Sequence, residues 1–415
     1  MELEFGFGKG IQKVTLPEEN LLGVLMANPV ETELTGVAEI ERALADPIGA
    51  PTIENVVHPG EKIAIITSDI TRPCPTWVML PPLLLRLWKA GIRKEDVTLV
   101  FALGSHRKHT AEEMRHLAGD EVFKTISCVD SDPNDCIHLG QTHRGTPVDI
   151  TRLVAEADKR ICLGNIEYHY FAGYSGGAKA IMPGVSTRAA IQANHTMMVC
   201  PEAHAGKLEG NPIREDIEEA AAICGVDYIL NVVLDEKKNI IKAVAGDVTQ
   251  AHREGCAFLD LLYGKKMKER ADIVLVSQGG APKDLNLYQT QKALDNAKHA
   301  VRPGGIIILI GSCREGLGEE VFARWIEEAS CPQDLTRRVK ENFQLGGHKA
   351  AAIAMVLENA QVFLVSEMPE ELVKKCFLVP FASAQAALEE AFRQLGNDAK
   401  VLAMPYGGST LPLNE

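Results

Sequence analysis

Four unbroken apolar runs, each followed by a loop and then an amphipathic stretch, most restrict what this chain can fold into. They are Lys62–Thr67 (KIAIIT), Val97–Leu103 (VTLVFAL), Asp272–Ser277 (DIVLVS) and Gly305–Ile310 (GIIILI). A strand that is apolar on both faces must be covered on both faces, as in a parallel sheet packed between helices. Helical spacing occurs over Trp77–Ala90, Ala111–Leu117, Arg214–Ile223, Tyr288–Val301, Glu319–Glu328 and Ser383–Leu395. The alternation predicts an α/β chain: two α/β domains with mainly parallel sheets covered by helices.

The 415 residues are enough for two or three domains, each with its own core. The charge-dense stretch Gly264–Arg270 precedes a fresh strand–loop–helix pattern and marks a boundary. The expected division is 1–268 and 269–396, the second domain adding strands near Gln361–Ser366 and Lys375–Leu378. A last apolar run, Lys400–Pro405, lies in the tail 397–415.

A net charge of −13 opposes nonspecific binding to nucleic acid or to an anionic membrane, because phosphates are repelled. Ten cysteines are scattered singly with no C-x-x-C pair, which argues against a zinc ribbon or a thioredoxin-type motif. The start MELEFGFGKG is not a signal peptide, and no run of eighteen apolar residues occurs. A cytoplasmic protein with free, mostly buried thiols is expected.

The chemistry concentrates in Gly164–His195, GNIEYHYFAGYSGGAKAIMPGVSTRAAIQANH, where His169, Lys179 and His195 surround the turn Gly173–Gly177. Paired glycines admit positive φ and close approach to a ligand. A nearby lysine acts as a charge or, if desolvated, as a nucleophile. Two imidazoles bind metal or move protons. The combination reads as a cofactor site. It is not a Walker A loop, because Ala178 separates Gly177 from Lys179 and Ala180 follows. Asp69, His106, His169 and the Tyr288 motif each follow an expected strand, the side on which open α/β sheets bind ligands.

Each of these residues also has a purely structural reading. Asp69-Ile70-Thr71-Arg72-Pro73 suits a capped helix start or a cradle for a phosphate or carboxylate. His106 and His109 sit in a basic loop that solvent alone would explain. His169 lies among Tyr168, Tyr170 and Phe171, where a packed histidine is common, and His195 suits a helix end as well as a metal. Tyr288 and Lys292 share a helix face beside Gln289, as an exposed helix start would also have.

The string E-x-H-x-F-A-G-x-S-G-G-x-K-A-x-x-P-G followed by N-H resembles the signature of the nickel-dependent lactate racemase family. Ser68–Pro73, Gly104–Arg107 and Pro282–Lys292 extend the match in order across residues 68–292. The resemblance implies nickel and a nickel pincer nucleotide, a pyridinium mononucleotide whose two sulfur-containing arms hold the metal. It implies covalent attachment through Lys179 as a thioamide and His195 as nickel ligand. Asp69, Ile70, Thr71 and Arg72 would contact the nucleotide. His106 and His169 would be the two acid/base groups, and Arg72, Tyr288, Gln289 and Lys292 would bind substrate. The tail would return to the N-terminal domain, with the active site in the cleft between domains.

The implied reaction is racemisation or epimerisation of a 2-hydroxy acid, hydride leaving the 2-carbon for the pyridinium ring and returning to the opposite face. Two bases on opposite sides are then required. Cofactor biosynthetic proteins are the implied partners in maturation. Relatives act on aliphatic, aromatic, dicarboxylic and sugar acids, so the exact acid stays open. Asp284, His348, Arg107 and Lys108 are candidates for a polar substrate end. Two competitors are a nicotinamide-dependent oxidoreductase and a non-catalytic nickel-cofactor carrier. The first is weakened because Gly6, Gly8 and Gly10 have the wrong spacing for a dinucleotide fingerprint. A zinc hydrolase is more distant, since H-E-x-x-H is missing.

Overall fold

The computed structural model describes residues 1–414. The chain divides into two compact units, Val30–Leu261 and a second built from Met1–Pro29 with Leu262–Glu415. No helix among the described residues is long and apolar enough to cross a membrane.

In Val30–Leu261 the sheet has six strands in the order Ile240–Gly246, Tyr228–Leu234, Lys159–Asn165, Ile63–Ser68, Val97–Ala102 and Ser127–Asp130. All neighbours are parallel except the edge strand Ile240–Gly246. Ile65, Leu99, Phe101, Ile161 and Leu230 are buried in its core, which is what apolar runs without alternation require. From Ile63–Ser68 the chain builds outward on one side through Val97–Ala102. It then crosses back to lay Lys159–Asn165 on the other. The strand order therefore reverses between Ile63–Ser68 and Lys159–Asn165. Such a reversal opens a crevice beyond the carboxyl ends of the two strands, the usual ligand position in an open α/β sheet. The segments that leave these strands begin at Asp69 and Ile166.

The other unit carries a six-stranded, wholly parallel sheet: Val379–Phe381, Ala360–Val365, Val301–Ile310, Ala271–Ser277, Val401–Met404 and Leu21–Val24. This corrects the expected division. The tail does not return to the N-terminal body. Val401–Met404 is an apolar run buried between Ala271–Ser277 and Leu21–Val24, and Leu411–Asn414 pairs with Gly264–Met267. It is the first 29 residues that cross over, bringing Phe5, Val14 and Leu16 into the same core. The seam falls before Leu262, within the last turn of the helix Gln250–Tyr263, which leads directly into the strand Gly264–Met267.

Two local expectations also change. The helix expected to reach Val301 ends at Ala297, and Val301 opens a ten-residue strand. Lys375–Leu378 is not a strand. Glu370–Lys375 is a short helix with acids in its first turn and lysines in its last, matching the helix dipole, and the strand starts at Val379.

Candidate active site

Five of the singled-out residues, Asp69, His106, His169, Lys179 and His195, belong to the unit with the strand reversal. Tyr168–His169 pairs antiparallel with Gly173–Tyr174, and the chain then makes a tight turn, Gly177–Ala180, that carries Lys179. The glycines serve close packing within the protein. A Cβ on Gly173 would lie 2.0 Å from the Lys207 carbonyl oxygen, and one on Gly177 would lie 2.8 Å from the His252 ring. Asn231 Oδ1 accepts the Gly177 N–H at 2.6 Å, and Ser175 Oγ donates to the Asn165 carbonyl at 2.7 Å. The lysine is thus held by a backbone locked on several sides.

Lys179 is half-buried, and among the described residues its ammonium makes no ion pair and no hydrogen bond. The centroid of the Phe171 ring lies 6.0 Å from its Nζ. Burial, reinforced by the Arg214 and Arg72 guanidinium charges, pushes its pKa well below the ordinary lysine value. The shift is towards the neutral amine, the nucleophilic form.

Arg214 was not singled out from sequence. It is fully buried behind the turn, donating from Nε to the Ala172 carbonyl at 3.1 Å and from Nη2 to the Tyr174 carbonyl, so it grips both sides of Gly173. Its Nη1 has no partner, and burial lowers its pKa to about 10. The nearest carboxylate, Glu218, is 3.9 Å away and is held by two hydrogen bonds from Arg253.

The two histidines expected to act as acid and base stand in complementary states. Asp69, only 4% exposed, places Oδ2 2.7 Å from His106 Nδ1 and also accepts the Thr71 hydroxyl at 2.9 Å. Burial alone would raise the Asp69 pKa. The His106 hydrogen bond and charge, with Arg72 and Thr71, outweigh burial and hold it below the usual carboxylate range. An ionised Asp69 draws the ring proton to Nδ1, so His106 carries its lone pair on Nε2. His169 differs. Its Nδ1 accepts the Ala172 N–H at 3.3 Å, which assigns the ring proton to Nε2. Burial, reinforced by the surrounding basic side chains Lys179, Arg72, His195 and Arg214, pushes its pKa well below 6.5, so it is a neutral imidazole.

His109 is a brace: Nδ1 lies 2.6 Å from Asp130 Oδ1, and Nε2 accepts the Ile70 N–H at 3.0 Å. Asp69 and Ile70, expected at the nucleotide, use the Asp69 carboxylate and the Ile70 amide on these partners. Thr71 and Arg72 are exposed.

His195 lies near the end of the helix Arg188–Thr196 and is 6% exposed. Its Nδ1 is 2.9 Å from Asn194 Oδ1. Phe171 joins the group, its ring centroid 4.8 Å from that of His195 and 4.5 Å from that of His169, in both cases edge to face. Among the described residues no three His, Cys, Asp or Glu gather as a metal site.

In the other unit, Tyr288, Gln289 and Lys292 lie in the first half of the helix Leu287–Ala297, which Asn286 caps by accepting the Gln289 N–H at 3.0 Å. Sequence reasoning missed Lys349. Its Nζ sits 3.9 Å over the Tyr288 ring and donates to the Tyr288 carbonyl at 2.7 Å. His348 is packed at the start of the helix Gly347–Leu357, where burial lowers its pKa to about 3. Two candidates for a polar substrate end prove to have structural partners. Asp284 is buried and accepts the Gly8 and Ser312 N–H groups at 2.7 and 2.9 Å, while Arg107 pairs with Glu113 at 2.6 Å.

Residues 7–206 match the lactate racemase N-terminal domain, and residues 266–411 match the lactate racemase C-terminal domain. The chain belongs to the lactate racemase family. It is 34% identical over 421 residues to the lactate racemase of Thermoanaerobacterium thermosaccharolyticum, covering 99% of this chain and 98% of that one. It is 31% identical over 417 residues to the lactate racemase of Lactiplantibacillus plantarum, covering 98% of each. The structure of the lactate racemase apoprotein from T. thermosaccharolyticum superimposes with a TM-score of 0.91 at 33% identity, over 100% of both chains. A Thermotoga maritima protein, 20% identical over 92% of this chain and 100% of its own, shares the fold with a TM-score of 0.66.

Proposed function

We propose that this chain is a racemase or epimerase of a 2-hydroxy acid, with lactate the first substrate to test because the named relatives are lactate racemases. The observation that carries this reading is Lys179: a half-buried amine without an ion pair, its pKa pushed well below the ordinary lysine value, in a locked turn of the same unit as two histidines of opposite tautomer. A neutral amine fits covalent capture of a cofactor thiocarboxyl group. His195, with Nδ1 engaged by Asn194, fits a nickel ligand, and imidazole suits nickel. A nickel held there needs further ligands from the cofactor itself, as in a nickel pincer nucleotide. Bound at Lys179 and His195, that group supplies a hydride acceptor.

The side chains do the rest. His106 Nε2 takes the substrate hydroxyl proton while Asp69 steadies the resulting imidazolium. His169 serves the opposite face with the other half of the proton exchange. Arg72 holds the carboxylate, keeping the 2-keto acid in place while it turns. Cofactor biosynthetic proteins are the maturation partners. All ten cysteines are free thiols, which supports a reducing cytoplasm as the compartment.

The test is co-expression with pincer-cofactor biosynthetic proteins, followed by intact mass, nickel content and racemisation of each lactate enantiomer. An adduct lost in Lys179→Ala, near-stoichiometric nickel and interconversion of the enantiomers support the reading. An unmodified, nickel-free chain under those conditions rejects it. Activity confined to another 2-hydroxy acid would change the substrate and keep the class.

A further inference from the structure

We propose that Asp216 is a positioning residue that, through Asn194, determines which ring nitrogen of His195 carries the lone pair; the inference rests on the reading of His195 as metal ligand. Asp216 lies on the helix Pro212–Cys224 and is 0% exposed. It forms no ion pair among the described residues. Three hydrogen-bond donors converge on it: the Thr142 hydroxyl, the Thr146 hydroxyl at 2.7 Å and Asn194 Nδ2 at 2.8 Å. A buried carboxylate without a cation needs such donors, and when ionised it only accepts.

That one-sidedness propagates. The Asn194 amide has a donating and an accepting end, and its NH2 faces two acceptors, Asp216 Oδ2 and, at 3.3 Å, the Ile213 carbonyl. Its Oδ1 is thereby turned to His195 Nδ1. Facing an acceptor, Nδ1 must bear the proton. A neutral imidazole has one N–H, so Nε2 is left with the lone pair a metal requires. Partners behind a ligating histidine commonly set its tautomer in this way.

The two threonines sit in the connection of a hairpin that also braces the start of the His195 helix, Asp149 accepting the Thr187 hydroxyl at 3.2 Å. Cys136–Gln141 and Pro147–Thr151 form it, and its connection is closed by Thr142 N–H to the Thr146 carbonyl at 2.9 Å and Thr146 N–H to the Thr142 hydroxyl at 3.1 Å. The connection presents both hydroxyls to Asp216 as a preformed pair. Asp216→Asn keeps the shape but introduces an NH2. Asn194 is then free to turn its carbonyl to that group and its own NH2 to His195, which reverses the tautomer.

The experiment is nitrogen NMR on the full-length, cofactor-free chain labelled with 15N-histidine, at about pH 8, where an ordinary imidazole is neutral. His195 is assigned among the twelve histidines by the resonance lost in His195→Gln. Wild type is expected to show His195 protonated at Nδ1. Asp216→Asn, and Asn194→Leu as a second variant outside the Asp216 helix, are expected to lower the ratio of that tautomer to the other at least about tenfold, a readout that mere loss of stability does not move. A wild-type His195 protonated at Nε2 overturns the proposal with no variant needed, and so does an unchanged tautomer in folded Asp216→Asn. In the mature chain, Asp216→Asn should lose nickel about 10–100-fold faster with the Lys179 adduct mass unchanged. Equal loss rates would remove the link to the metal. Because the tautomer is read without cofactor, a mature chain that never carries nickel rejects the proposed function and leaves the Asp216–Asn194–His195 result standing.

Discussion

Asp69 Oδ2 and His106 Nδ1 are 2.7 Å apart, a buried carboxylate fixing the far nitrogen of a partly exposed imidazole as an acceptor. Asp69→Asn keeps the size of the side chain and removes the charge that orients the ring and stabilises its protonated form. Racemisation should fall about 100-fold or more, within the range that positioned acid–base groups contribute. Adduct mass and nickel content should stay at wild-type levels. The pair also links stability to acid. The folded pKa of Asp69 is depressed, so its contribution is complete above the unfolded value of about 3.9 and is lost as pH falls through the folded value. Acid unfolding of Asp69→Asn should begin from a lower plateau and show a shallower loss below about pH 4.

Lys179 makes the opposite contribution. Burial and the Arg214 and Arg72 charges lower its folded pKa, so the unfolded chain binds the lysine proton more tightly than the folded chain does. Folding works against that proton, and stability gains from this residue as pH rises towards the ordinary lysine value of about 10.4. Lys179→Met should therefore raise the Tm of the cofactor-free chain near pH 7, by roughly 2–4 °C for each kcal/mol recovered, and the gain should shrink towards pH 10. Calorimetry at the two pH values checks it. Arg214→Met should raise the pH at which Lys179 becomes acylated, read by competitive labelling and peptide mass.

Gly173 has φ of 76° and no room for a Cβ, which would stand 2.0 Å from the Lys207 carbonyl. Gly173→Ala is expected to destabilise the fold by about 2–4 kcal/mol, from backbone strain and the forced movement of Lys207. Denaturant midpoints measure this. Cofactor attachment should slow in the same variant at temperatures where it remains folded.

His195→Ala removes one side chain at the end of a helix and leaves Lys179 intact. The mature variant should keep the adduct mass while its nickel content drops at least about tenfold, as metal analysis beside intact mass would show. Dialysis against a strong chelator should strip wild type more slowly than the variant.

Much of this was legible in the chain itself. Apolar runs such as Ile63–Ser68 and Ala271–Ser277 are central strands of two parallel sheets, because a sequence apolar on both faces has few other places to go. The glycine-rich segment carrying His169, Lys179 and His195 was recognisable because those residues lie close together in sequence and follow strand ends. Local order and periodicity are properties that a sequence states directly.

Tertiary structure decided what sequence distance concealed. It moved the first 29 residues into the C-terminal unit, since Leu21–Val24 pairs with Val401–Met404 and nothing local records a pairing across the whole chain. It made His109 a brace and His106 the histidine paired with Asp69, because only the packing of two loops shows which imidazole meets which carboxylate. It also brought Arg214 behind Gly173 and Asp216 behind Asn194. Both sit on one helix with no motif of their own. Their charges matter through burial and neighbours, which are set by the fold as a whole and not by the residue type.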